Sequence, residues 1–272
     1  MAAPINYPSG AGGTTGDPLV TISPLITSGT VWYVHSGTGT DAAAPRGKER
    51  IRPLATVAQA YTNATFGDFI VCLSGHAETL TSTLTVAKTG LRILSEGTGS
   101  NRARFTCGGA IICFDITAAS VMLGNLYFPA STVTPSVARV RSNIDYPTIR
   151  GCYFECGTLD TVESVRIIAS TTRPEICDTS FVSTSTSVAS QPESAIKIAS
   201  AIGDMTMDNV VFDGGASGWS NPYAFAGDAA ITRFLATNID LLNDSDMKLA
   251  TGSTFTIHIR NKSLSTRVDI TP

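Results

Sequence analysis

Charge is scarce in this sequence. Asp, Glu, Lys and Arg account for 15% of its 272 residues, where an ordinary soluble domain carries roughly 25%. Ser, Thr, Ala and Gly fill the difference. With a formal net charge of −3 and no Lys/Arg cluster, the chain lacks the basic stripe of a nucleic-acid binder. No apolar run approaches the ~18 residues that would span a membrane as a helix. The opening Met1-Ala2-Ala3-Pro4-Ile5-Asn6 has neither the basic start nor the apolar segment of a signal peptide, so a product of the cytoplasm is expected. A phosphate-binding Gly loop is missing. The six cysteines, Cys72, Cys107, Cys113, Cys152, Cys156 and Cys177, fit no zinc spacing, and a cytosolic origin argues against a disulfide framework. They are expected to behave as small buried hydrophobes.

What the chain does have is a repeat. Six times, at intervals of 23 to 31 residues, a turn-forming residue stands three positions before a bulky apolar one: Asn125/Phe128, Gly151/Phe154, Asp178/Phe181, Asn209/Phe212, Asn238/Leu241 and Asn261/Leu264. Asn, Gly and Asp tolerate the left-handed backbone region best, so each marks a sharp bend. Two residues before the bends stand Leu123, Ile149, Ile176, Met207, Ala236 and Ile259; eleven before the first four stand Phe114, Val140, Ile167 and Ile198. Each unit reads strand, loop, strand, bend, strand, loop, and none holds the apolar periodicity of a helix. Strands this short cannot bury a face alone, whereas coils stacked ~4.8 Å apart enclose a continuous interior. Bend residues then lie above one another, where Asn amides can hydrogen-bond as a ladder. A β-sandwich would also show short strands, but nothing in a sandwich holds bend and apolar residue in phase. Cys152 and Cys156 share strand parity with Phe154 and should point inward, Cys152 in the place held by Leu126, Val210 and Ile239.

Three regions follow. Residues 1–30 are rich in Gly, Pro, Thr and Ser, with Leu19, Val20, Ile22, Leu25 and Ile26 scattered among them. They read as an extended arm that orders against a partner, or as a disordered tail of the same composition. Residues 31–78 read as an N-terminal cap: the strand Val31-Trp32-Tyr33-Val34, a short helix, and the buried strand Phe69-Ile70-Val71-Cys72-Leu73. Pro53 is expected to open the helix, with Leu54, Val57, Ala58 and Tyr61 on one face. A helix there covers the open edge of the first rung. Residues 79–272 form the shaft, and Lys262 takes the inward place of Leu126 in a last rung with no coil above it.

The order Trp32-Tyr33-Val34, Asp41, Pro53-Leu54-Ala55-Thr56-Val57-Ala58-Gln59-Ala60, Gly67-Asp68-Phe69-Ile70-Val71 and Gly75-His76-Ala77-Glu78 resembles the N-terminal cap of right-handed parallel β-helix proteins, above all those of tailed bacteriophages. The Asn-x-x-Phe bends resemble the second turn of the pectate-lyase-like β-helix. The resemblance covers about residues 31–264. It implies an all-β fold, a right-handed parallel β-helix with a short N-terminal helix cap and, outside the resemblance, the extended arm. Lyases, hydrolases, tailspikes and inert virion proteins all use this fold, so function turns on the site.

Hydrolysis of a glycan needs two carboxylates about 5–9.5 Å apart, and lyases of the family resemble calcium enzymes with clustered acids. Glu155 and Asp213 each follow the bulky apolar position, but two coils apart, with Val182 between them and Pro129 before. Asp178 is a bend residue. Asp208 aligns with Arg150, Cys177, Gly124 and Arg260, so no carboxylate pair forms there. His76 and Glu78 have the chemistry of a general acid/base pair, yet the same segment closes the cap strand, where His76 can simply hydrogen-bond. His35 and His258 do not converge with it on a metal. No catalytic, cofactor-binding or metal-ligating residue is assigned, and Glu155 with Asp213 flanking a groove is the one remaining candidate.

The expected function is therefore a non-enzymatic bacteriophage virion protein: a trimeric capsid decoration (cement) protein or short head fibre. Its homotrimer contacts would come from a shaft face and residues 1–30, and arm and cap would grip the major capsid protein. No nucleic acid, membrane or cofactor is expected. The alternative is a receptor-binding tailspike with polysaccharide depolymerase activity, although such spikes carry a far longer shaft. A bacterial polysaccharide lyase or esterase is a third class, disfavoured by the missing site.

Overall fold

The computed structural model describes residues 29–130, 138–157, 162–168, 173–185, 192–219, 223–243, 245–262 and 268–270. Of the arm expected at 1–30, all but Gly29 and Thr30 lies outside these residues. The chain winds into a right-handed β-solenoid of about six turns, the hand that crossovers between parallel strands take. Three parallel ladders make up its walls. The first runs through Val31–Val34, Phe69–Cys72, Arg92–Ser95, Met122–Gly124, Thr148–Arg150, Glu175–Cys177, Met205–Asp208 and the first half of Phe234–Leu242. The second takes Ala77–Leu80, Arg104–Cys107, Tyr127–Phe128, Tyr153–Cys156, Ser180–Ser183, Val211–Asp213 and the second half of Phe234–Leu242. The third takes Leu84–Val86, Phe114–Ile116, Ala138–Ser142, Glu163–Ile167, Ile196–Ile198, Tyr223–Gly227, Asp246–Leu249 and Val268–Ile270.

Register explains the interior. Ile70, Ile93, Leu123, Ile149, Ile176, Met207 and Ala236 pair in one column and are buried. Phe128, Phe154, Phe181, Phe212 and Leu241 form the facing column. Its rings lie nearly parallel, with centroids 4.5, 4.9 and 5.5 Å apart from Phe128 to Phe212. Between the two columns the chain turns at Asn125, Gly151, Asp178, Asn209 and Asn238, with φ of 57°, 66°, 52°, 52° and 54°. The bend that the repeat implies is thus present on five successive coils, and the short rigid corner holds the two columns in phase.

The sixth bend is absent. Asn261 lies inside the strand Phe255–Lys262 and pairs with Asp240. That strand runs from Ile257 beside Ala236 to Ile259 beside Ile239, one residue shorter than the segment below it. Ile259 therefore sits in the place of Leu126, Lys262 stands exposed beside Leu241, and Arg260 lies off the column of Asp208, which pairs with Thr237. Among the described residues Phe255–Lys262 is the last strand of these two ladders, and it passes the corner in extended form.

The third ladder carries a second correction. Phe114 and Val140 align with Val165 and Ile196, not with Ile167 and Ile198, which lie two residues further on. Side chains in a strand repeat every two residues, so a two-residue change of loop length keeps the inward set inward and leaves no trace in the apolar pattern.

The cap differs from expectation in where its helix begins. Leu54 forms an isolated bridge with Val34, and the helix spans Val57–Asn63 with Thr56 as N-cap, its hydroxyl accepting from Gln59 N. Val57 and Ala60 are buried and Ala58 is exposed, so Ala60 takes the place expected of Ala58. The start is set by Asp41, whose Oδ1 accepts the Ala55 and Thr56 N–H groups at 2.8 and 3.0 Å. All six cysteines are buried, but Cys107 and Cys113 form a disulfide, Cα–Cα 5.7 Å, across the return from the second ladder to the third. Their pairing depends on where the return loop brings the two strand ends, which spacing alone does not show.

Candidate functional site

The acids raised from the sequence, Asp178, Asp208 and Asp213, and with them Asp240, are bonded into the solenoid. Asp178 accepts from Arg150 Nε at 3.2 Å and Asn209 Nδ2 at 3.0 Å. Asp208 accepts from Thr237 Oγ1 and Asn238 Nδ2, and these bonds hold its carboxyl below the usual carboxylate value. Asp213 accepts from Gly215 N and Asn243 Nδ2 at 2.9 and 2.8 Å. Asp240 takes a two-pronged bond from Arg260, 2.9 and 2.6 Å, and Asn261 adds a third; the Arg260 bond is the main reason its carboxyl is lowered. In most of these pairs the donor stands one coil above the acid, so the contacts tie rung to rung.

Glu155 and Asp213 share one outward column with Val182 between them, a rise of roughly 10 Å over two rungs. That separation is at the wide limit for acid and base around one sugar. Glu155 faces Tyr127, whose hydroxyl is pushed up to about 12 by burial first and then by its bond to Glu155. The pair is not brought together.

His76 is fully buried. Its Nδ1 accepts from Ser36 N at 3.0 Å, which places the proton of the neutral ring on Nε2, 3.1 Å from Glu78 Oε2. The same Glu78 oxygen accepts from Val57 N at the start of the helix. His76 and Glu78 therefore lock cap loop, helix and first coil together. His35 bonds locally to Thr38, and His258 lies exposed on the terminal strand. Among the described residues, no group of three His, Cys, Asp or Glu is placed to hold a metal, and no helix is long and apolar enough to cross a membrane.

A feature that the sequence reading did not single out is a trough of about 820 Å³ along the outward face of the first ladder. Its floor is the column Arg92, Met122, Thr148, Glu175, Thr206 and Leu235. One wall is a second column of left-handed bends, five residues before the first: Ser120, Tyr146, Arg173 and Arg233, with φ of 58°, 56°, 53° and 63°. Ser, Tyr and Arg are not turn signatures, which is why this column escapes a reading by residue type. Arg173 and Arg233 both bind Asp204, at 3.3 Å and 2.8 Å, and Arg173 lies 5.9 Å from the centre of the Tyr146 ring.

The third ladder presents a different surface. Arg141 grips Asp115 at 2.9 and 2.7 Å, Lys197 reaches Glu193 at 2.6 Å and Glu163 at 3.3 Å, and Lys248 reaches Asp228 at 3.2 Å. These are self-neutralising pairs. Comparison with protein-family models and with curated proteins finds no match to this chain.

Proposed function

We propose that this protein is a non-enzymatic component of a tailed-bacteriophage virion, made in the host cytoplasm and added to the particle as a trimeric capsid decoration protein or short head fibre. The observation that carries the reading is how the acids are used. Asp178, Asp208, Asp213 and Asp240 spend their oxygens on cross-coil amide, hydroxyl and guanidinium donors, which suits a rigid shaft rather than a reacting centre.

The cap supplies a grip. Ile51 and Phe66 are 85% and 74% exposed there, and large apolar side chains left in water gain roughly 25 cal/mol per Å² when a partner covers them. An arm with scattered apolar residues and many glycines can order beside them on the major capsid protein. Three-fold positions on a shell favour a trimer.

Co-sedimentation with capsids of the phage that encodes the chain tests this. The full chain should pellet with capsids. Deletion of residues 2–27, or Ile51→Asp with Phe66→Asp, should abolish pelleting while the circular dichroism stays that of a β-solenoid. Normal decoration by both variants would refute the arm and cap as the grip. If the full chain instead shortens a host polysaccharide, and Glu155→Gln or Asp213→Asn abolishes that, the depolymerase reading replaces this one.

A further inference from the structure

The outward faces of the first and second ladders differ in a way that matches one to the other. The trough on the first carries four guanidinium groups, Arg92, Arg150, Arg173 and Arg233, and no lysine. Arg173 and Arg233 share the one carboxylate of Asp204 and Arg150 bonds Asp178, so with Glu175 the face keeps a small excess of guanidinium. Arg, Met and aromatic residues are enriched where proteins meet, and Lys is depleted. Two of the five exposed large apolar side chains among the described residues also lie on this face: Tyr146 and Leu235, each 44% exposed. The second ladder turns outward Tyr127, Tyr153, Glu155, Val182 and Asp213, all half-buried. Arg104 is the cation among them, and it lies over the Tyr127 ring at 5.2 Å. One face is rich in guanidinium and apolar groups, the other in carboxylate and phenol.

These two faces meet along the corner of small bend residues, Asn125, Gly151, Asp178, Asn209 and Asn238. Copies arranged with that corner toward a common parallel axis bring the first-ladder face of each onto the second-ladder face of the next. Such a head-to-tail contact closes into a ring. Both faces repeat once per coil, ~4.8 Å, so a second shaft can match the trough rung for rung. From Phe69 to Leu235 the face spans six rung steps, ~29 Å, and its strands with the flanking bends are ~17 Å wide. That is roughly 500 Å² per copy and contact, or ~1,000 Å² in total, the lower bound for a specific interface; in a ring each copy makes two such contacts.

We infer that the occupant of the trough is a second copy of this chain, seating its Tyr127–Tyr153–Glu155 face there, and that three copies close the ring. The number three rests on the trimer reading above; the choice of faces does not.

Mass photometry and light scattering on the isolated full chain test it, with two double variants. Tyr146→Glu with Leu235→Glu disables the trough; Glu155→Lys with Val182→Lys disables the opposing face. The wild type should show three chain masses at micromolar concentration, and each variant alone one, with unchanged circular dichroism. An equimolar mixture of the two variants should show two chain masses, because one intact trough and one intact opposing face remain. A monomeric wild type overturns the inference, as do variants that keep the wild-type mass. A mixture that stays monomeric at high micromolar concentration also overturns it, as does loss of assembly by the trough variant while the Glu155→Lys/Val182→Lys variant still assembles, the latter pointing to a trough-to-trough dimer. Capsid co-sedimentation is read separately: a trimer that ignores capsids defeats the virion proposal and leaves this inference standing.

Discussion

Asn209 donates its side-chain amide to the carboxylate of Asp178 one coil earlier, Nδ2 to Oδ1 at 3.0 Å, and both residues bend the chain at φ 52°. The contact is the one direct bond found between successive bend side chains among the described residues. Asn125 donates instead to the carbonyls of Ser95 and Gly97, and Asn238 to Asp208. The amide ladder suggested by the repeat is thus three separate amide-to-acceptor steps, at Asn125, Asn209 and Asn238, each with its own acceptor.

Asn209→Ala should therefore destabilise the shaft by roughly 1–3 kcal/mol, combining the left-handed backbone penalty of ~1–2 kcal/mol with a partly exposed hydrogen bond worth up to ~1. Asn209→Gly keeps the backbone and loses only the side-chain bonds, to Asp178 and from Arg260 Nη1 at 2.9 Å, so its cost should be the smaller of the two. Urea midpoints of the two variants separate the contributions, and equal costs would mean that φ at this corner is not what Asn provides.

Phe212 stacks on Phe181 with the rings 12° from parallel and is fully buried. Truncation to Ala removes the ring from a continuous column and should cost roughly 3–5 kcal/mol. A loss below ~1 kcal/mol in chemical denaturation would show that the column does not carry the core.

Asp68 anchors the cap. Burial alone raises its pKa, but donors from Trp32 Nε1, Thr65 N, Thr30 N and Thr65 Oγ1 outweigh burial and leave it below the ordinary 3.8. A carboxyl lowered on folding contributes stability that is complete above its unfolded value and is lost as pH falls through the folded one. Acidification below about pH 4 should therefore loosen the cap, and Trp32 fluorescence in a Trp219→Phe background should report it. In Asp68→Asn the same acid transition should flatten, at the expense of stability at pH 7.

Burial also silences the free thiols. It pushes Cys152 and Cys177 up to about 12 and Cys72 well above its ordinary value. At pH 8 the folded protein should not react with a thiol reagent. In denaturant four thiols should react, and reduction beforehand should raise the number to six. Reaction of the native protein would contradict the burial of these side chains.

Period and residue type by themselves determined the stacked-coil architecture, the five corners from Asn125 to Asn238 and the Phe128-to-Phe212 column. These depend on local backbone tolerance and on apolar phase, both carried in each repeat. Tertiary structure alone decided the rest. Ser120, Tyr146, Arg173 and Arg233 adopt left-handed backbone because coils above and below hold the turn, a cost of ~1–2 kcal/mol each that no local signal announces. The third ladder's alignment of Val165 with Val140 was hidden because strand periodicity does not register a two-residue shift. Asn261 has the residue type of a bend but lies within the extended strand Phe255–Lys262, paired with Asp240. The trough is likewise a property of stacking: Arg92 and Leu235 are 143 positions apart in the chain and share a face only because each coil returns to the same wall.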